Sequence, residues 1–157
     1  MTDFLNGTWN LVAWRRIAGD GSVSYPLGPD ASGLLVYTEN GRMTVQIAGA
    51  DRATVAGDDP LGGDEQARAE AYSTYLAYFG TYAVNGQNVV HNIEGSLFPN
   101  WSGESQVRPF TLDSDQLVLS TPPMELADGT TVVNELAWER DKRLRNRVLS
   151  VSSAYFR

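Results

Sequence analysis

The sequence predicts an all-β fold in which eight antiparallel strands close into an up-and-down barrel, with one helix inserted between strands. Three observations favour this architecture. The chain has 157 residues, the length of one domain. Turn residues divide it into short strand-like segments, and these do not alternate with helices. Closing an eight-stranded sheet removes its exposed edges and leaves an interior that is filled by side chains or holds one small ligand.

The predicted strands lie between recognisable turns. Asn40-Gly41, Asn85-Gly86 and Asp128-Gly129 are dipeptides that favour tight turns between strands. The predicted strands are residues 8–17, 34–38, 43–48, 81–84, 89–94, 105–112, 116–120 and 131–140.

The predicted helix covers residues 64–78, which contain no Gly or Pro and are rich in Ala, Glu, Gln and Arg. Asp64 is a suitable N-cap, and Gly80 is a suitable terminator. Tyr72, Leu76 and Phe79 recur at i, i+4 and i+7 and would form one apolar stripe. The tyrosines 72, 75, 78 and 82 are therefore expected to pack this helix on the barrel. The alternative is that the helix is a lid whose phenols bind a ligand.

The charge balance excludes some partners. The chain has 12 basic and 19 acidic residues and a net charge of −7. Nucleic acids and anionic membranes need clustered positive charge, so neither is an expected partner. The N-terminal residues lack the features of a secretion signal and no apolar run is long enough to span a membrane. A cytoplasmic location is therefore expected.

The end of the chain has the opposite charge. Residues 141–157 contain five basic side chains and one acidic one. We expect residues 1–140 to form the barrel and this basic segment to pack on it or extend from it. Contact between two subunits in a homodimer is an alternative role for the segment, supported by charge alone.

Several motifs in order along the chain resemble a known family. Gly7-Thr8-Trp9 opens the first strand and Trp138-Glu139-Arg140 closes the last, which resembles the lipocalin (calycin) signature. Further matching segments are residues 25–28, 33–37, 41–46, 75–82 and 97–101, with His91 and Arg108. Together they resemble a small bacterial and fungal lipocalin-like family over about residues 4–140. The resemblance implies a barrel in which Trp9 plugs the base and the late arginine packs across it. Such proteins include carriers and tailoring enzymes of natural-product pathways.

Strand alternation predicts which side chains face the barrel interior. If Trp9 points inward, Leu11, Ala13 and Arg15 follow it, and Trp14 lies outside or under a covering segment. On the strand after Gly103, the alternate residues Gln106, Arg108, Phe110 and Leu112 share one face. The apolar Phe110 and Leu112 indicate that this face, and Arg108 with it, points inward. The expected ligand-binding residues are Tyr37, Met43, Tyr78, Tyr82, Trp101, Gln106, Phe110, Asn134 and Leu136.

Two polar residues of the predicted interior are candidates for catalysis. His91 is the only histidine and shares a strand face with Val89 and Ile93, although the opposite face also competes for the interior. It would move a proton beside a carbonyl group whose charge Arg108 stabilises. The alternatives are a hydrogen-bonded structural histidine and an arginine that pairs with Glu94 or Glu104.

The missing motifs narrow the chemistry. The chain has no phosphate-binding glycine loop, no nucleophile elbow and no dinucleotide fingerprint. One histidine and no cysteine leave few metal ligands, so neither a metal nor a cofactor is predicted. The first hypothesis is a cofactor-free cyclase, isomerase or dehydratase that acts on a hydrophobic, polyketide- or terpenoid-like molecule. The second is a non-catalytic carrier of such a molecule. The third is a structural module whose interior is filled by its own side chains.

Overall fold

The structure, a computed structural model, describes residues 4–142. Its strands are β1 Gly7–Ala18, β2 Val23–Ser24, β3 Ser32–Tyr37, β4 Arg42–Ala48, β5 Tyr75–Asn85, β6 Asn88–Ser96, β7 Ser105–Asp113, β8 Gln116–Ser120, β9 Met124–Glu125 and β10 Thr131–Arg140. The helix α1 spans Glu65–Ser73, and a short 3₁₀ helix spans Pro99–Trp101.

Eight long strands form a closed antiparallel barrel. Each pairs with the next long strand along the chain, and β1 also pairs with β10 to close the ring. The two-residue strands β2 and β9 extend the sheet beside β1 and β10. The predicted up-and-down barrel of eight strands with one inserted helix is therefore confirmed.

Alternation on β4 shows how the core is made. Met43, Val45 and Ile47 are buried, while Gln46 between the last two is exposed. The same period of two places apolar side chains of the other strands in the interior, as expected for a sheet with one buried face. The core therefore lies inside the barrel.

The predicted helix is too long at its C-terminal end. Asp64 caps it as expected, because its carboxylate accepts a hydrogen bond from the backbone N–H of Ala67. However, the helix ends at Ser73, and Tyr75 begins β5. Aromatic residues favour strands, and residues 75–81 pair with β4 along its whole length, which outweighs the weak helix propensity of the sequence.

This boundary corrects three further expectations. Tyr78 and Tyr82 lie on β5 with Tyr75, so only Tyr72 of the four tyrosines belongs to the helix. The apolar stripe of Tyr72, Leu76 and Phe79 does not form, and Phe79 is exposed on the outer face of the sheet. Gly80 does not end the helix. It lies at an irregularity in the β5–β6 pairing, where an added Cβ would collide with the carbonyl oxygen of Asn92.

The inward face of β1 changes part of the way along the strand. The pairing with β10 shifts register between Leu11 and Ala13, which marks a β-bulge or a similar irregularity. Beyond it Trp14 turns to the interior, whereas Arg15 lies outside and its guanidinium contacts the Glu135 carboxylate at 2.8 Å. The expectation that Ala13 and Arg15 follow Trp9 inward is therefore wrong.

One end of the barrel is closed by side chains. Trp9 and Trp138 are fully buried there, and the guanidinium carbon of Arg140 lies 4.1 Å from the centre of the Trp9 ring. Arg140 also donates hydrogen bonds of 2.7 Å to the carbonyl oxygens of Phe4 and Asn6. These contacts match the arrangement that the resemblance implies. The longer connections, including α1, lie at the opposite end.

The basic segment is described only at its start. Lys142 Nζ lies 2.7 Å from a carboxylate oxygen of Asp115 on the β7–β8 turn. The rest of that prediction, residues 143–157, lies outside the described residues. Within residues 4–142, no helix has the length and apolar character needed to cross a bilayer.

Candidate functional site

The barrel encloses a cavity of about 530 Å³ that opens toward the end with the long connections. Its deeper walls are apolar and include Leu35, Val45, Ile47, Leu119 and Leu136. Tyr72 and Ser73 of α1, Phe98 and Trp101 near the 3₁₀ helix, and Met124 of β9 contribute at the open end. The hypothesis that the interior is filled by its own side chains is therefore wrong.

The cavity brings together most of the predicted site residues. Those that line it are Tyr78, His91, Trp101, Gln106, Arg108, Asn134 and Leu136. Tyr37, Met43, Tyr82 and Phe110 do not line it.

The four exceptions lie deeper or nearer the closed end of the barrel. The hydroxyl of Tyr82 donates hydrogen bonds to the Asn6 side chain and to the Thr38 carbonyl. Phe110 is on the same strand face as Arg108 but packs beside Phe4, with 6.1 Å between the ring centres. These residues therefore belong to the core in this structure.

His91 is held between two phenols. The Tyr37 hydroxyl oxygen lies 2.6 Å from Nε2, and the Tyr78 hydroxyl oxygen lies 3.0 Å from Nδ1. The imidazole is fully buried, on the same strand face as Val89 and Ile93. Burial and the positive charge of Arg108 lower the pKa of His91 to about 3. His91 is therefore neutral at physiological pH.

The two phenols that contact His91 are also kept neutral. Burial raises the pKa of Tyr37 well above its ordinary value, and the neighbouring Tyr78 adds to this effect. Burial also raises the pKa of Tyr78, while the positive charge of Arg108 acts in the opposite direction. Only Tyr78 of these two phenols lines the cavity.

Arg108 is a buried charge with weak neutral contacts. Its side chain donates to the Gln106 side-chain oxygen and to the Val107 carbonyl, both at 3.3 Å. Glu94, a candidate partner from the sequence, instead binds Arg42 at 2.6 and 3.0 Å on the outer surface. Among residues 4–142 no carboxylate forms an ion pair with Arg108, so the internal salt bridge with Glu94 or Glu104 is not present.

Sequence reasoning missed two residues beside Asn134. The Asn134 side-chain oxygen accepts hydrogen bonds from Trp14 Nε1 at 2.9 Å and from Arg16 Nε at 3.2 Å. Trp14 and Arg16 line the cavity because the register shift in β1 reverses the face of the strand. No local sequence signal marks this shift, since it depends on how β1 pairs with β10.

The two tryptophans at the closed end differ in their hydrogen bonding. Trp9 Nε1 donates to the Leu5 carbonyl at 2.9 Å. Trp138 Nε1 is buried and has no acceptor among the described residues. Trp138 also lines the cavity, whereas Trp9 does not.

The arrangement of the cavity suits a ligand that is held by hydrogen-bond donors between apolar walls. Arg108 supplies a charged donor, and the ring of Trp101 stands edge-on to Tyr78 at 5.6 Å between centres. In the described part of the chain, no three His, Asp or Glu side chains are grouped so that they could hold a metal ion.

Comparison with known proteins identifies the family. Residues 6–141 match the family model described as a lipocalin-like domain. The chain belongs to this family. A curated relative is the 4'-hydroxy-3'-methoxypropiophenone carrier protein of Aspergillus oryzae, 30% identical over 110 residues, which cover 65% of this chain and 99% of that protein.

Solved structures give a weaker likeness to this lipocalin-like protein. The fluorescent protein UnaG is 14% identical, with a TM-score of 0.38, and the match covers 90% of this chain and 100% of that one. A single-residue variant of UnaG gives a TM-score of 0.37 at 14% identity, with coverage of 89% and 98%.

Proposed function

We propose that this lipocalin-like protein is a non-catalytic carrier of a small aromatic ketone or a related natural-product intermediate. The observation that carries the proposal is the cavity of about 530 Å³, with apolar walls and the buried donors Arg108 and Tyr78. Small-molecule sites have volumes of about 300–1,000 Å³ and combine apolar walls with a few polar groups that orient the ligand. The curated relative is named as a carrier of 4'-hydroxy-3'-methoxypropiophenone, which is a small aromatic ketone of the proposed class.

The state of His91 favours carriage over catalysis. A proton shuttle works best with a pKa near the working pH, whereas the pKa of His91 is about 3. Both ring nitrogens also contact phenol oxygens, at 2.6 and 3.0 Å, so neither is free for a substrate. The cyclase, isomerase or dehydratase hypothesis therefore has less support than the carrier hypothesis.

A cytoplasmic location and a homodimer stay predictions.

The direct test is binding followed by recovery of the ligand. We expect 4'-hydroxy-3'-methoxypropiophenone to quench the fluorescence of Trp14 and Trp101 saturably, because both indoles line the cavity. The ligand should be recovered unchanged after prolonged incubation, as judged by liquid chromatography and mass spectrometry. Conversion of the ligand would refute a purely carrier role, and absence of saturable binding would refute this ligand class.

A matched pair of variants locates the binding. Leu136 lines the cavity, whereas Leu34 is on the outer surface of the barrel. Leu136→Trp should fill part of the cavity and weaken binding at least about tenfold, while Leu34→Trp should leave the affinity unchanged. Equal effects of the two substitutions would place the ligand outside the barrel.

A further inference from the structure

The charged groups of the cavity have the opposite balance to the whole chain. The chain has 19 acidic and 12 basic residues. Among the described residues that line the cavity, however, there are two arginines, Arg16 and Arg108, and no Asp, Glu or Lys. The other titratable side chains of the lining are His91, Tyr72, Tyr75 and Tyr78. The cavity is thus a positively charged interior within an acidic protein.

Arg108 is the deeper source of this charge. The residue is 6% exposed, and its guanidinium carbon lies 6.0 Å from the centre of the Trp101 ring. Arginine stays charged in proteins, and burying a charge is costly unless an opposite charge lies near it. Since no carboxylate in residues 4–142 pairs with Arg108, the cavity itself is the place where an anion would compensate it.

The hydrogen bonds of His91 determine where a second donor, the hydroxyl group of Tyr78, directs its proton. Tyr37 has one hydrogen-bond partner in the described structure, His91 Nε2, and a buried hydroxyl needs an acceptor for its proton. Tyr37 therefore donates to Nε2, which leaves the proton of the neutral imidazole on Nδ1. Nδ1–H then donates to the Tyr78 oxygen at 3.0 Å. The hydroxyl proton of Tyr78 is consequently free to be donated into the cavity.

We propose that the ligand binds through an anionic oxygen that accepts hydrogen bonds from the Arg108 guanidinium and from the Tyr78 hydroxyl. The oxygen belongs to a phenolate or a carboxylate on an aromatic ring. His91 and Tyr37 are positioning residues, because they order the Tyr78 proton without touching the ligand oxygen. This inference rests on the proposed carrier function and adds the ionisation state of the bound molecule.

Three ligands of similar shape test the proposal on the unaltered protein. They are 4'-hydroxyacetophenone, which can form a phenolate; its methyl ether, 4'-methoxyacetophenone, which cannot ionise; and 4-methoxybenzoate, a carboxylate. Between about pH 6 and pH 9 we expect the phenol to bind more tightly as pH rises, whereas the ether should show no such trend. His91, Tyr37 and Tyr78 stay neutral over this range, and the ether serves as the control for every other side chain of the cavity, Tyr72 and Tyr75 included.

The absorbance of the bound phenol gives an independent reading. The phenolate should be present in the complex at a pH where the free ligand is still neutral. A preference of about tenfold to a hundredfold for the anion lowers the apparent pKa of the bound ligand by about one to two units. A bound phenol that keeps the pKa of the free phenol would overturn the proposal.

The comparison among ligands separates the sources of the anion. A tighter complex with the phenol identifies a phenolate, and a tighter complex with the benzoate identifies a carboxylate; either supports the anionic oxygen. Equal affinity of the ether and both ionisable ligands overturns it but leaves the carrier function intact. Failure of all three ligands to bind counts against the carrier function itself.

Substitutions assign the donors. Arg108→Met should weaken binding of the ionised ligand about tenfold to a hundredfold and bring its affinity close to that of the ether. Tyr37→Phe should reduce the ratio of phenol to ether affinity. Without the Tyr37 hydroxyl, the proton of His91 can lie on Nε2, and Nδ1 can then accept the hydrogen bond of the Tyr78 hydroxyl, which is no longer donated to the ligand. Arg15→Met is the matched control, since Arg15 pairs with Glu135 on the outer face. An unchanged ratio in Arg108→Met would contradict the assignment.

Discussion

The hydroxyl oxygen of Tyr37 lies 2.6 Å from Nε2 of His91, and both side chains are shielded from solvent. This contact joins β3 to β6 across the interior of the barrel. Burial keeps the imidazole neutral and lowers its pKa to about 3, against an ordinary value of 6.5. The difference between folded and unfolded states makes the stability of the protein depend on pH.

The pH dependence should be visible below neutrality. As the pH falls below 6.5, the unfolded chain binds a proton at His91 and the folded protein does not, so the free energy of unfolding decreases until about pH 3. The loss reaches about 1.4 kcal/mol per pH unit and amounts to about 2 kcal/mol between pH 7 and pH 5. Urea denaturation at several pH values measures it.

The variant His91→Gln isolates this effect from other titrating groups. Its free energy of unfolding should be nearly constant between pH 7 and pH 5, because the titrating imidazole is gone. A variant that loses as much stability as the unaltered protein over this range would show that His91 is not the cause.

The two tryptophans at the closed end of the barrel should differ in how much the loss of the indole N–H group destabilises the protein. Trp9→Phe removes a hydrogen bond to the Leu5 carbonyl, whereas Trp138→Phe removes a buried donor that has no acceptor in the described structure. Both substitutions remove similar volume from fully buried positions. Trp9→Phe should therefore be more destabilising by about 1 kcal/mol in thermal or chemical unfolding. The reverse order would contradict the hydrogen-bond assignment.

Arg140 should matter more than an exposed arginine. It contacts Trp9 and two backbone carbonyl groups, and a lysine cannot reproduce this planar arrangement. Arg140→Lys should lower the free energy of unfolding by about 1–3 kcal/mol. Arg42→Lys, at the exposed pair with Glu94, should change it by less than about 0.5 kcal/mol. Similar losses in the two variants would argue against a special role for Arg140.

Loss of the N-cap of α1 should destabilise this helix without destabilising the barrel. No residue of this helix is buried, so Asp64→Ala removes much of its support by deleting the hydrogen bond to the Ala67 N–H. Amide hydrogen exchange should accelerate in residues 65–73 and stay unchanged in β3 and β4. Asp59→Ala, which removes a hydrogen bond to the Leu61 N–H outside the helix, is the control. Faster exchange throughout the barrel would contradict this separation.

The barrel could be predicted because its signals are local. Asn40-Gly41 makes a hairpin turn in which Gly41 has a φ of 80°, and the alternation of Val45 and Ile47 selects one face of the strand. The same reasoning predicted that Arg108 points inward, because it lies on the same strand face as Phe110. The structure shows this orientation. Local sequence therefore determined most strands and one key residue of the site.

The errors arose where distant segments decide the outcome. The inward turn of Trp14 depends on the register shift between β1 and β10, which no short segment encodes. The strand conformation of Tyr75 depends on pairing with β4. The contact between Tyr37 and His91 joins residues 54 positions apart, so the sequence suggested each side chain but not their hydrogen bond.

A crystal structure of the protein with 4'-hydroxy-3'-methoxypropiophenone is the most direct test of the central claim. We predict an intact ligand inside the barrel, with an oxygen within hydrogen-bond distance of both the Arg108 guanidinium and the Tyr78 hydroxyl. A ligand on the outer surface, or one inside the barrel whose oxygens contact neither group, would contradict this account of the site.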